Sequence, residues 1–379
     1  MASSDQSGDE IIKFGMVKGV FIPTLLTILG VIMYLRLGWV VGITGLLGAW
    51  TIILIAFAIT TTTALSMSSI ISNIRIGPGG AYSIISRSMG LEIGGSIGVP
   101  LYLSLALSVA LYVFGFRAGL LFLYPGLSPL LIDFSIFAIL FAIVFISTSV
   151  TFKIQYLILA VLVGSLVSIF AAFPPAPPAY EFVASPPGIS FWTVFAVFFP
   201  AATGIMAGAN MSGELKNPRR AIPLGTLLAI TAGMAIYLAL AWWLAASASP
   251  SELVGNYDFL LSASRWNYAV LAGLLAATFS SALNSLVGAS RILQAMGEHG
   301  IMPRNAWFAE RTSTGIPRNA ILVTGGAVAA ALMLRDLNII APLITMFFLI
   351  TYGMINIVIL IEQNLQLVKI GRASCRERV

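Results

Sequence analysis

The sequence predicts an all-α membrane protein of about ten transmembrane helices, five followed by five in the opposite membrane orientation. Three observations carry this reading. Apolar stretches long enough to cross a bilayer recur along the whole chain, Lys and Arg collect on one side of the implied membrane, and Gly and Pro interrupt the first span of each half.

Of the 379 residues, 59% are hydrophobic and only 9% charged, outside the range of a water-soluble domain. A bilayer core about 30 Å thick takes roughly 20 apolar residues per helix. Stretches of that order lie at 16–42, 46–71, 93–123, 129–150, 154–173, 190–212, 222–247, 267–296, 318–334 and 339–363. The first is too long for a signal-peptide core and no small-residue cleavage site follows it, so it is expected to be retained. The division expected is a disordered cytoplasmic N-terminus at 1–15, a first repeat at 16–173, an outside loop at 174–189 and a second repeat at 190–369. Residues 370–379 break from the apolar register and match the translation of a sequencing adapter, which puts the end of the natural sequence near Lys369; an ordinary basic tail is the alternative. Cys375, the single cysteine, lies there, so no disulfide framework is possible.

With the N-terminus in the cytoplasm, thirteen Lys and Arg residues from Lys13 to Lys369 fall inside, and only Arg265 and Arg335 fall outside. That is the positive-inside pattern, and it accounts for the net charge of +6 without nucleic-acid binding. The Pro-rich stretch 173–187 carries neither Lys nor Arg, as an outside connection should. It separates two halves of five spans, and an odd number per half inverts the second against the first.

The interruptions come next in the argument. In the first span Gly30 falls in mid-membrane after Pro23; in the sixth, Pro200 is followed by Gly204 and Gly208. Unwound backbone frees carbonyls for a cation, and the next half-helix offers N–H groups and a positive dipole end to an anion. Close helix packing is the alternative use of such Gly and Pro residues. No Asp, Glu, Lys or Arg stands beside either interruption. Small inorganic ions bound as neutralising pairs suit such a site.

The eighth span carries Thr278, Ser280, Ser281, Asn284 and Ser285 in an otherwise apolar run from Ala277. Oxygen ligands of this kind suit a hard cation such as sodium, although hydroxyls inside membranes more often bond helix to helix. Tyr112 and Tyr352 are lone phenols in apolar helices, where packing with one satisfied hydroxyl is the ordinary role. Arg36, Arg117 and Asp133 are intramembrane charges, functional by default, with snorkelling open to the two arginines. The 77–82 segment lacks the Lys-Ser/Thr ending of a phosphate loop and reads as a re-entrant or tight cytoplasmic turn. His299 lies beside Glu298 in a cytoplasmic loop with no partner for metal or nucleophilic chemistry, and the glycosylation triplet at Asn210 would face the cytoplasm.

The stretches 28–42 (ILGVIMYLRLGWVVG), 79–98 (GGAYSIISRSMGLEIGGSIG), 198–216 (FFPAATGIMAGANMSGELK) and 280–295 (SSALNSLVGASRILQA) resemble signature segments of the cation-chloride cotransporter family. That family belongs to the amino acid, polyamine and organocation superfamily, and the likeness spans nearly all of 16–363. The resemblance implies a LeuT-type core of five plus five inverted helices with helices 1 and 6 discontinuous. It implies potassium at the carbonyls of Thr27, Ile28 and Pro200 with side-chain oxygens of Tyr112 and Thr203. One chloride would meet the N–H groups of Gly30, Val31 and Ile32; the other would meet Gly204, Ile205 and Met206 with Tyr352. Sodium would be held by carbonyls of Leu26, Leu29 and Ala277 and the hydroxyls of Ser280 and Ser281. Sodium-independent members lack one of those two hydroxyls, so the resemblance favours sodium-potassium-chloride over potassium-chloride cotransport.

Two departures stand out: Thr27 replaces the usual Asn of animal members, and Arg117 stands near a position that is commonly acidic. The last two membrane helices of the family, which serve dimerisation, and its C-terminal cytoplasmic domain have no counterpart here, so a homodimer is expected only of a full-length protein. The short N-terminus and the cysteine-free outside loop between spans seven and eight point to a microbial source. No cofactor is implied; the partners are sodium, potassium and chloride ions and the lipid of a plasma membrane. An amino acid permease of the same fold is the rival reading, against which Ile32 and Met206 narrow the cavity. A channel would need a continuous polar lining, and an intramembrane enzyme a nucleophile with a base.

Overall fold

The computed structural model describes residues 14–73, 82–83, 86, 90–146, 155–172, 188–210, 215–312 and 315–364. Among these, eight helices are long and apolar enough to cross a membrane, and two shorter apolar ones, Gln155–Phe170 and Arg318–Leu332, fall in the fifth and ninth expected spans. The all-α class read from the sequence holds, and the first and sixth spans are broken.

The first span begins with a π-helical turn, Val17–Phe21, and continues as α1, Ile22–Ile28, and α2, Val31–Leu35. Pro23 explains the wide turn, because it has no N–H to continue the regular ladder. The second span is α3, Leu37–Asn73, and the connection expected at 43–45 is reduced to one left-handed residue, Gly45 (φ 68°). A further irregularity at Arg36 (φ −126°) was not anticipated, yet the hydrogen bonds from Arg36 N–H to Ile32 O and from Val40 N–H to Arg36 O carry the helix through it.

Then come α4 (Leu91–Leu123), α5 (Pro129–Ile146) and α6 (Gln155–Phe170). The sixth span is α7, Phe191–Phe198, capped by the Ser190 hydroxyl accepting from Trp192 N–H, then a 3-10 turn, Phe199–Ala202, and α8, Met206–Asn210. Next are α9 (Pro218–Ser247), the short helices α10 (Pro250–Gly255) and α11 (Phe259–Ser262), α12 (Asn267–Glu298), α13 (Asn305–Ala309), α14 (Arg318–Leu332) and α15 (Leu337–Asn364).

Burial decides which spans are central. In the first span 83% of the helix lies inside the molecule, against 22% for α5. Helix α12 packs along α4 and α6, α9 lies along α3, and α15 lies along α4, so that long helices enclose the two broken ones. Near the start of the described chain, Phe14 pairs with Leu215 and accepts from Lys216 N–H at 2.9 Å, tying the entry of the first span to the exit of the sixth. The expected segments 1–13, 74–81, most of 173–189, the triplet beyond Asn210 and 370–379 lie outside the described residues.

Candidate functional site

The first break centres on Leu29 (ψ 51°) and Gly30 (ψ −152°), which leave helical geometry between α1 and α2. A helix end strands its last four carbonyls, and two of these are met by side chains from distant helices. Ser281 Oγ on α12 donates to Leu26 O at 3.4 Å, and Tyr237 Oη on α9 donates to Ile28 O at 2.9 Å. Thr27 turns its hydroxyl back onto Pro23 O at 2.8 Å, which leaves its backbone carbonyl as the group able to serve a ligand. Gly30 is hemmed in by these atoms. A Cβ there would stand 3.1 Å from Thr27 O, 3.2 Å from Tyr112 Cε1 and 4.0 Å from Ser281 Oγ.

The second break is Thr203, extended (ψ −178°), followed by Gly204 at φ 106°, a left-handed conformation that a side chain would strain. The Thr203 hydroxyl donates to Pro200 O at 2.7 Å, and Thr60 of α3 donates to Ala202 O at 2.9 Å. Gly204 is where the two breaks touch: a Cβ on it would come within 2.7 Å of Thr27 Cγ2. The second glycine of the expected interruption, Gly208, is helical and instead packs on Val20 and Thr24.

Tyr352 of α15, fully buried, turns its hydroxyl toward the Gly204 amide without closing a hydrogen bond to any partner. Its ring meets Phe199 edge-on at 6.2 Å. Ser280 Oγ, also buried, has no partner either. Ala277, Ser280 and Ser281 share one face of α12 at helical spacing, and the Tyr112 phenol lies against Ser281. Val31, Ile32, Ile205 and Met206 are all buried around the crossing. The structure therefore gathers Leu26, Thr27, Ile28, Gly30, Tyr112 and Ser281 on one side and Pro200, Thr203, Gly204 and Tyr352 on the other. No acidic or basic residue falls within 22–35 or 191–210.

Beyond Leu35 a cavity of about 310 Å³ is lined by Arg36, Arg117, Phe114, Tyr257, Asp258 and Asp336 among others. Arg36 donates to Asn338 Oδ1 at 3.1 Å and to Leu35 O at 3.0 Å, with its guanidinium 4.0 Å from the centre of the Tyr257 ring. Arg117 pairs with buried Asp133 at 2.6 Å and reaches Arg335 O at 3.2 Å. In the connection between α10 and α11, burial pushes the Asp258 carboxyl up, and the charge of Arg36 opposes that shift. At the opposite end His299 caps α12 and its Nδ1 meets Tyr82 Oη at 3.1 Å, a partner the sequence did not disclose.

Sequence reasoning missed Tyr237 and Thr60. The signal for Tyr237 was of the kind that singled out Tyr112 and Tyr352, a lone phenol in an apolar helix; Thr60 lies in a run of four threonines with nothing to distinguish it.

Residues 19–374 match the family described as amino acid permease. Solute carrier family 12 member 9 of Rattus norvegicus is 31% identical over 399 residues, covering 91% of this chain and 44% of that protein. Solute carrier family 12 member 2 of Homo sapiens is 32% identical over 409 residues, covering 91% of this chain and 34% of that protein. Solute carrier family 12 member 1 of Mus musculus is 32% identical over 410 residues, with shares of 91% and 37%. The chain thus spans less than half the length of these curated relatives.

Proposed function

The chain belongs to the amino acid permease family, with relatives among the solute carrier family 12 proteins that bear out its resemblance to cation-chloride cotransporters, and on that premise we propose that it is the membrane core of a secondary transporter carrying chloride together with potassium and sodium. The observation that carries this reading is the meeting of two broken helices, Gly204 against Thr27, among carbonyls and hydroxyls, with no charged residue in either broken segment. Such a site cannot neutralise a lone buried ion, whose desolvation costs several kcal/mol. Ions of both signs bound together neutralise each other.

In this reading potassium is held by the carbonyls of Thr27, Ile28 and Pro200 and the oxygens of Tyr112 and Thr203. One chloride meets Gly30, Val31 and Ile32. The second meets Gly204, Ile205 and Met206 beside the Tyr352 hydroxyl, whose unpartnered state suits a donor awaiting an anion. Sodium takes Leu26, Leu29 and Ala277 with Ser280 and Ser281; the approach of Ser281 to Leu26 O supports that assignment. Two inverted halves, 16–173 and 190–369, rock against each other to open the site to alternate sides. The N-terminus lies in the cytoplasm of a cell whose plasma membrane holds the protein, and the full-length protein forms a homodimer. An amino acid substrate is disfavoured because Ile32 and Met206 are buried at the crossing, where a side-chain pocket would have to open.

The test is rubidium uptake into liposomes holding the purified protein, with chloride or gluconate outside and with or without sodium. Uptake should need chloride and sodium together, and Ser281→Ala should reduce the sodium-dependent part at least about tenfold, the loss of one ligand to a cation. Uptake that ignores chloride, or amino acid uptake in its place, removes this reading.

A further inference from the structure

Tyr237 reaches the end of α1 from far away in the chain. Its hydroxyl donates to Ile28 O at 2.9 Å across 209 residues of sequence, and the residue is fully buried. Its ring is clamped on two sides, edge-on to Phe198 at 5.4 Å and tilted against Phe57 at 5.8 Å. Phe198 closes α7 just before the second break, so the clamp touches both interrupted spans. One turn earlier on α9, Gly233 lets the helix approach: a Cβ there would stand 2.6 Å from Ile28 Cγ2.

Ile28 is the last residue of α1, and the N–H that would take its carbonyl in a continuous helix, that of Ile32, lies beyond the break. The carbonyl is thus free to swing with the Leu29 peptide unless something fixes it. An oxygen of this kind has two lone pairs. The phenol occupies one and thereby sets the direction of the other.

We infer that Tyr237 is a positioning residue for cation binding: without touching the ion, its hydroxyl aims the Ile28 carbonyl and so sets affinity and size selectivity for the larger alkali cation. This rests on the reading that Ile28 O is a potassium ligand. The rigid ring clamp is the reason the aim is exact enough to discriminate, since a carbonyl held in place resists closing on a smaller ion or opening for a larger one.

The experiment is chloride-dependent rubidium uptake by the wild type, Tyr237→Phe and Tyr34→Phe, each reconstituted at equal amounts. Tyr34 loses an equally buried hydrogen bond, to Ser165 at 3.0 Å, but meets no proposed ligand. Tyr237→Phe should raise the rubidium KM about fivefold, the worth of one hydrogen bond. Its chloride KM at saturating rubidium should stay within about twofold, and its preference for rubidium over caesium should shrink. Tyr34→Phe should leave rubidium KM and that preference unchanged. An unchanged rubidium KM in Tyr237→Phe, or the same rise in Tyr34→Phe, overturns the inference while leaving the transport reading in place. Wild-type uptake indifferent to chloride sinks the transport reading itself. Should Tyr237→Phe fail to accumulate, 3-fluorotyrosine at position 237 keeps the ring and strengthens the donor. The rubidium KM should then shift without a matching chloride shift, and no shift overturns the inference.

Discussion

Gly204 shows how much one missing side chain can decide. Its φ of 106° is open to glycine at little cost, and a Cβ would meet Thr27 at 2.7 Å. Gly204→Ala therefore combines backbone strain of about 1–3 kcal/mol with a forced separation of the two breaks. The expected outcome is a lower thermal midpoint in detergent together with loss of ion uptake. A variant with wild-type stability and uptake would mean that the crossing tolerates a wider gap than the structure shows. The glycine itself was legible, because Pro200 and Gly204 interrupt the sixth span as Pro23 and Gly30 interrupt the first. What it touches was not, since Thr27 lies 177 positions away in the chain (204 − 27). Tyr237 was illegible for the same reason. A phenol in an apolar helix looks alike in sequence whether its hydroxyl meets a backbone carbonyl at a helix break, as here, or a serine, as Tyr34 does.

The elements were read more fully than their junctions. Hydropathy located the spans because lipid demands uninterrupted apolar helix, and Gly and Pro marked the breaks by recurring in the first span of each half, whereas Pro100, Pro223 and Pro342 sit inside continuous helices. The irregularity at Arg36 left no such mark. Nor did the pairings that join α2 to α15 through Arg36 and Asn338, and α4 to α5 through Arg117 and Asp133. Arg117, which stands near a position that the resembled family commonly fills with an acidic residue, serves the junction of α4 and α5 through Asp133. Asp133 is 1% exposed and Arg117 16%, so removing one partner leaves a poorly solvated charge. Asp133→Asn should cost about 2–4 kcal/mol and lower the thermal midpoint by several degrees. Replacing both, Arg117→Met with Asp133→Leu, should recover most of the loss. If the double variant is no more stable than the single, the pair acts as more than a structural tie.

At the scale of the whole molecule, long helices enclose two broken ones, and the broken pair meets at Gly204 and Thr27 with carbonyls that side-chain hydroxyls of distant helices partner. An arrangement without fixed charge makes a thermodynamic demand: a cation and an anion must each improve the site for the other, by the same factor in both directions. That coupling is the central claim, and it can be read without transport, on the purified chain in detergent. The measurement is equilibrium binding of rubidium in chloride and in gluconate at equal ionic strength. Chloride should tighten rubidium binding at least about tenfold, and rubidium should tighten chloride binding by the same factor. Equal rubidium affinity in the two salts would contradict the account.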